Sequence, residues 1–226
     1  MDVLHLTERN IDAAADHAAS LIKRGGIAAV PTDTVYGLVG DALRPSSVGK
    51  IYRIKARAFT KALPIFVRDI AMAQQYAYIE RRLVPFLQEV WPGPTTIILR
   101  KKDALPDSLT GGTNTIGMRI PASPFIAALL ARFDNPLAET SANISGSEPA
   151  TTASEVQNTF MHHIPQPELV VDGGKIESEG PSAVLDLTRP DNPKILRMGS
   201  ITKEKLDEML AQWNRFASQE GIPNGN

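Results

Sequence analysis

Apolar and polar positions along this chain follow two periods, one of about 3.6 residues and one of short unbroken runs. Between positions 11 and 24, Ile11, Ala14, Ala18, Leu21 and Ile22 fall on one helical face, with Asn10 placed as a cap and Gly25-Gly26 as a stop. The apolar run 27–30 then reads as a buried strand ended by Pro31, which has no N–H for a central ladder. Ser46-Ser47 opens a second helical pattern through Val48, Ile51 and Ile54. Residues 63–67 read as a strand, and 70–78 and 81–91 as helices. Trp91-Pro92-Gly93-Pro94 breaks the chain before a strand over 95–99, and Pro121 closes another over 115–120. Ser123-Pro124 opens a helix over 125–132, with proline in the first turn. Residues 137–140 form a short strand running into Ser141-Ala142-Asn143, and Thr152 caps a helix over 153–160. Further strands are predicted at 169–171, 183–187 and 195–196, and a last helix over roughly 203–216. Strands and helices alternate throughout, so the fold class is α/β with a mixed sheet.

Composition narrows the function classes. Cysteine is absent, which excludes disulfides, thiolate catalysis and cysteine-ligated zinc. No apolar run approaches the ~18 residues of a membrane span, and the first residues lack the basic-then-apolar layout of a signal peptide. A cytoplasmic enzyme with no membrane contact is expected. The formal net charge is −1, so a long nucleic acid could be held only by a local basic surface. Such a surface is suggested by Lys50, Arg53, Lys55, Arg57 and Lys61, which lie in a stretch containing no acid. These cations suit a phosphate chain, or equally a solvated helix end with its negative pole. The sequence shows no internal repeat, no low-complexity linker and no obvious domain boundary, so one domain is expected, with a flexible tail over about 217–226.

Five polar clusters sit at predicted strand ends, where ligand sites form in open α/β sheets. The first is Pro31-Thr32-Asp33-Thr34-Val35-Tyr36-Gly37-Leu38, and the second is Lys55-Ala56-Arg57 with Lys61. In the third, 113–121, Arg119 lies in an otherwise apolar strand, where it either faces the surface or holds a carboxylate in a pocket. The fourth is Glu139-Thr140-Ser141-Ala142-Asn143-Ile144-Ser145-Gly146, with Thr151-Thr152 after it. The fifth comprises Asp172-Gly173-Gly174, Gly180-Pro181-Ser182 and Leu196-Arg197-Met198-Gly199. No phosphate-loop or dinucleotide glycine motif occurs, and the four histidines, His5, His17, His162 and His163, lie outside the clusters. The pattern points to a site that works by binding and electrostatics, without a side-chain nucleophile.

In this order the clusters resemble the TsaC/YrdC family: Pro-Thr-Asp-Thr-Val-Tyr-Gly-Leu at 31–38, Lys-x-Arg at 55–57 with Lys61, Trp-Pro-Gly-Pro-Thr at 91–95, Thr-x-x-x-Arg-x-Pro at 115–121, Ser-Ala-Asn-x-Ser-Gly at 141–146 and Leu-Arg-x-Gly at 196–199. The resemblance implies a twisted, mixed sheet flanked by helices, with a large, positively lined concave cleft. It implies synthesis of threonylcarbamoyl-AMP and pyrophosphate from L-threonine, bicarbonate and ATP, for threonylcarbamoyladenosine in tRNA. Thr34, Arg119, Ser141 and Ser182 would hold threonine. Lys55, Arg57, Lys61, Thr115, Asn143, Thr151 and Arg197 would hold ATP, with Lys55 and Arg57 also stabilising charge in catalysis. No protein-held metal is expected; Mg²⁺ would arrive on ATP. Implied partners are tRNA or double-stranded RNA at the basic cleft and the transferase proteins that receive the intermediate.

The sequence departs from the family pattern at three places. Ala58 stands where many members have proline, Glu139-Thr140 where others have Ala-Pro, and Phe66 where longer relatives have histidine. The chain ends about 25 residues after Leu-Arg-x-Gly, so a short, single-domain form is expected. Two other readings fit the same fold: a double-stranded RNA-binding module, and a YciO-like relative without synthase activity.

Overall fold

The computed structural model describes residues 1–178, 180–189 and 191–202, and beyond them 204, 205, 207–209, 211 and 213. Among the described residues there are ten strands, β1 (Asp2–His5), β2 (Ala28–Val30), β3 (Gly37–Asp41), β4 (Ile65–Phe66), β5 (Thr95–Arg100), β6 (Thr115–Arg119), β7 (Leu137–Ser141), β8 (Leu169–Asp172), β9 (Ala183–Asp186) and β10 (Lys194–Arg197). They form one sheet in the order β1-β8-β2-β3-β7-β4-β6-β5-β9-β10. Parallel pairs (β1 with β8, β2 with β8, β4 with β6, β5 with β9) are mixed with antiparallel ones. The helices are α1 (Ile11–Lys23), α2 (Pro45–Ile54), α3 (Ile70–Tyr76), α4 (Val84–Val90), α5 (Asp107–Thr110), α6 (Pro124–Arg132) and α7 (Ala153–Phe160).

The pleat sends alternate residues to two separate cores. Ile27, Ala29, Leu38, Ile65, Ala138 and Val170 face a large core built with α2, α3, α4, α7 and the helical residues Met209 and Trp213. Ala28, Val30, Val39, Phe66, Leu137 and Val171 face a smaller core built with α1 and α6. The first face is covered from β8 to β9, while the edge strands β1 and β10 are largely exposed. On the second, α1 and α6 pack over the β8-β2-β3 side and reach as far as Phe66 and Leu137. Beyond them that face is open: Ile98, Thr115, Gly117, Glu139, Ser141 and Val184 are all partly exposed.

Most local expectations hold; among the corrections, α2 begins at Pro45 with Arg44 as its N-cap, and the short helix α5 was not expected. Thr152 caps α7 in a full capping box with Glu155, and Ser123 caps α6 by accepting from the Ile126 N–H. Asn10, by contrast, makes no side-chain cap; its Oδ1 accepts from Thr7 and its Nδ2 donates to the His5 carbonyl, fixing the approach to α1. Two strands escape the pattern: β1, which pairs only at the sheet edge, and β3, where Gly37 and Gly40 interrupt an apolar run. Residues 81–91 divide into a 3₁₀ turn and α4. The predicted last helix is helical at its described residues. The predicted tail over 217–226 lies outside the described residues.

Candidate functional site

The open part of the second face holds a pocket of about 150 Å³ lined by Thr34, Val35, Arg57, Pro64, Arg119, Glu139, Thr140, Ser141, Pro181, Ser182 and Arg197. This is below the roughly 300–1,000 Å³ typical of drug-sized sites and suits a small polar ligand. Its floor follows from register. Glu139 donates its N–H to the Pro64 carbonyl at 2.9 Å, so β7 and the entry to β4 lie side by side. Gly117 lies close against the lining residue Pro64; a Cβ there would come within 3.1 Å of the Pro64 Cβ and 3.2 Å of the Thr96 Cγ2.

The loop after β2 is shaped by its own hydroxyls. Thr32 Oγ1 accepts from the N–H groups of Thr34 (3.0 Å) and Val35 (3.3 Å) and donates to the Val35 carbonyl (2.7 Å). This turn presents Thr34 to Arg119. Tyr36 faces elsewhere: its hydroxyl donates to the Gly174 carbonyl at 2.8 Å and accepts from the Gly173 N–H, and burial pushes it up to about 12. Tyr36 therefore fastens the loop to the end of β8.

Arg119 ends β6 with only 2% exposure. Its Nε donates to the Gly93 carbonyl and its Nη1 to Thr34 Oγ1, both at 3.0 Å, and its Nη2 pairs with Asp33. Asp33 also accepts from the Ala122 N–H at 3.0 Å. The arginine thus points into the pocket with a carboxylate already beside it, an inward placement that would be costly without Asp33. Desolvation lowers its pKa, against the opposing pull of Asp33 and Glu139.

On the far wall, Arg197 Nε donates to the Ser182 carbonyl at 2.9 Å and its Nη2 to Ser182 Oγ at 3.3 Å, while Ser182 Oγ also meets Thr96 Oγ1 at 2.8 Å. Arg57 reaches the pocket from the loop after α2, anchored by Nη2 to the Ala62 carbonyl at 2.9 Å. Between Lys55 and Arg57, Ala56 adopts φ 48°, in the left-handed region, at a cost of about 1–2 kcal/mol.

Lys55 itself is 3% exposed and lies behind the pocket wall. Its Nζ donates to the Ser141 carbonyl (2.8 Å), Ser141 Oγ (3.1 Å), the Asn143 carbonyl (3.2 Å) and Asn143 Oδ1 (2.6 Å). Burial lowers it to about 8, Arg57 adds to the lowering, and Glu139 opposes it. The cation run is also not acid-free in space, because Lys50 pairs with Glu168 and Glu139 lies near Lys55 and Arg57.

The structure therefore brings Thr34, Arg57, Arg119, Ser141, Ser182 and Arg197 to one pocket from six separate segments. Lys55 and Asn143 stand directly behind Ser141. Lys61, Thr115 and Thr151 are outside the pocket lining: Lys61 is exposed, Thr115 begins β6, and Thr151 donates to Glu155 from its N–H and hydroxyl. Two residues of the site stood inside the polar clusters but were given no role by the sequence, Asp33 and Glu139. Strand alternation could have found Glu139, since it shares a face with Ser141 two residues later. The pairing of Asp33 carried no such signal, because its partner lies 86 positions away. Among the described residues no group of three His, Asp or Glu is placed to hold a metal ion, and no helix is long and apolar enough to cross a membrane.

The Sua5/YciO/YrdC family model, described as telomere recombination, matches residues 20–199. The chain belongs to this family. The threonylcarbamoyl-AMP synthase of Pyrococcus abyssi is 32% identical over 211 residues, which cover 93% of this chain and 61% of that protein. A putative threonylcarbamoyl-AMP synthase of Methanocaldococcus jannaschii is 35% identical over 204 residues, covering 90% of this chain and 94% of that one. A crystal structure of P. abyssi Sua5 complexed with L-threonine matches with a TM-score of 0.87 at 31% identity, covering 93% of this chain and 61% of that chain. The mixed, helix-flanked sheet is thus the Sua5/YciO/YrdC fold.

Proposed function

We propose that this member of the Sua5/YciO/YrdC family is a nucleotidyltransferase that makes threonylcarbamoyl-AMP and pyrophosphate from L-threonine, bicarbonate and ATP, as the donor for threonylcarbamoyladenosine in tRNA. The observation that carries the reading is the meeting of Thr34, Arg119, Ser141 and Ser182 around a pocket of amino-acid size. Relatives bearing the synthase name support it, as does the threonine-bound Sua5 structure.

In this reading the threonine carboxylate meets Arg119 and the hydroxyls of Thr34 and Ser182. The amine condenses with bicarbonate to a carbamate, whose oxygen attacks the α-phosphorus of ATP. Arg57 and Arg197 face the charge that develops on the α-phosphoryl group and on the departing pyrophosphate. Holding an unstable carbamate in line with ATP supplies much of the rate. Lys55 acts through Ser141 and Asn143, whose oxygens it gathers. Lys61, Thr115, Asn143 and Thr151 extend the proposed ATP site beyond the pocket. The pocket's arginines fit phosphate oxygens, and Mg²⁺ belongs to the proposal as an ion carried by those phosphates, where it would neutralise part of their charge. A cytoplasmic location, contact with tRNA or double-stranded RNA, and hand-over to transferase proteins belong to the same proposal.

Pyrophosphate release from ATP, with threonine and bicarbonate omitted in turn, tests it. The expected outcome is release that needs both. Release of orthophosphate and ADP, or indifference to threonine, overturns it. RNA binding without ATP turnover would favour the binding-module reading.

A further inference from the structure

Among the described residues, Glu139 is the one carboxyl group in the pocket lining. It belongs to β7, on the same face as Ser141, and its neighbour across β4 is Pro64, which offers its side chain no polar partner. Arg119 from β6, Arg197 from β10, and Lys55 and Arg57 at and after the end of α2 all act on it electrostatically. Each of those cations is committed elsewhere: Arg119 to Asp33, Thr34 and Gly93, Arg197 to Ser182, Lys55 to Ser141 and Asn143, and Arg57 to Lys61 and Ala62. Among the described residues the Glu139 carboxyl makes no hydrogen bond and no ion pair within 4 Å.

A zwitterionic amino acid needs one cationic and one anionic point in its site. Among the described residues the pocket supplies the cationic point several times over, and with Asp33 taken up by Arg119 the carboxyl left without a partner is Glu139. We propose that Glu139 binds the ammonium group of the amino-acid substrate and takes the proton that this group must lose before its nitrogen can attack. This deepens the synthase reading and rests on it. The step balances as R–NH₃⁺ + HCO₃⁻ + Glu–COO⁻ giving R–NH–COO⁻ + H₂O + Glu–COOH: an N–C bond forms, a C–O bond of bicarbonate breaks, and the proton ends on Glu139. The environment suits a proton acceptor. Desolvation raises the Glu139 pKa above the usual carboxylate range, and the four cations oppose that rise without cancelling it.

The test compares Glu139→Gln with the wild type by calorimetric titration of L-threonine and of 2,3-dihydroxybutanoate, which keeps the carboxylate and replaces the ammonium with a hydroxyl. Glutamine preserves shape and removes the charge, and thermal melting confirms that the variant folds. The expected result is that L-threonine weakens by roughly 10- to 100-fold, the loss of one charge-assisted hydrogen bond, while the dihydroxy acid is unchanged. Pyrophosphate release at fixed bicarbonate should also lose the acid limb of its pH profile, and Glu139→Asp should recover part of the threonine affinity. Equal effects on both ligands, or none on either, overturn the assignment. Wild-type turnover that needs threonine upholds the synthase reading whatever the variant does. A wild type that binds no threonine removes both.

Discussion

One face of the sheet carries two regions that differ in everything except their strand geometry. Under α1 and α6 it is dry: Val30, Val39, Phe66 and Leu137 pack against Ala18, Ile22, Phe125 and Leu129. A few residues away, with no change of register, it is wet, and Glu139 and Ser141 line a pocket ringed by arginine. Strand β7 passes through both, with Leu137 in the dry core and Glu139 and Ser141, two and four residues later on the same side, in the pocket. What separates them is the reach of two helices. A sheet face without a covering layer must carry polar or small groups, and those groups are then free to meet a ligand. The dry half stores stability, and the wet half holds buried charge and a left-handed alanine that cost stability.

The largest effect that would break this division is at Arg119, where the two regions meet beside Phe66. Arg119→Ala should abolish threonine-dependent pyrophosphate release, by about 10³-fold or more in kcat/KM. It should also cost about 3 kcal/mol in denaturant unfolding, because Asp33 is left without its partner. Adding Asp33→Asn should recover stability but not activity. Recovery of both would make the pair purely structural.

Next in size is a change confined to the dry half. Leu129→Ala removes a side chain with 0% exposure and should lower stability by about 3–5 kcal/mol. Below its melting transition, KM for threonine and ATP should match the wild type. A shifted KM would mean that the helices set the pocket's shape as well as its border.

The smallest effect concerns Lys55, which belongs to the wet half by charge and to the dry interior by burial. Lys55→Ala should cost about 1–3 kcal/mol, since the oxygens of Ser141 and Asn143 lose their common donor. Wild-type stability in this variant would move Lys55 out of the scaffold and into direct phosphate binding alone.

Periodicity and breakers were enough to find most elements, because a helix face, an apolar run and a proline are local properties. The failures were also local in cause. Strand β3 contains two glycines, which weaken the strand signal, and it exists because β2 and β7 pair with it on either side. Asn10 occupied the cap position, but its side chain was captured by Thr7 and His5. The motif clusters marked most of the pocket, since hydroxyls, amides and arginines at strand ends have few purely structural uses in that density.

The chain alone determined its fold class, the order of most of its elements and the residue types available to a site, because these follow from side-chain chemistry and near-neighbour spacing. Tertiary structure decided which of those residues share a pocket. The acid-free stretch around Lys55 became a mixed-charge environment once Glu139 and Glu168 were brought beside it. Arg119 found its carboxylate in Asp33 across 86 positions. Burial, electrostatic pairing and the reach of a covering helix are set by distances in space, and no spacing along the chain encodes them.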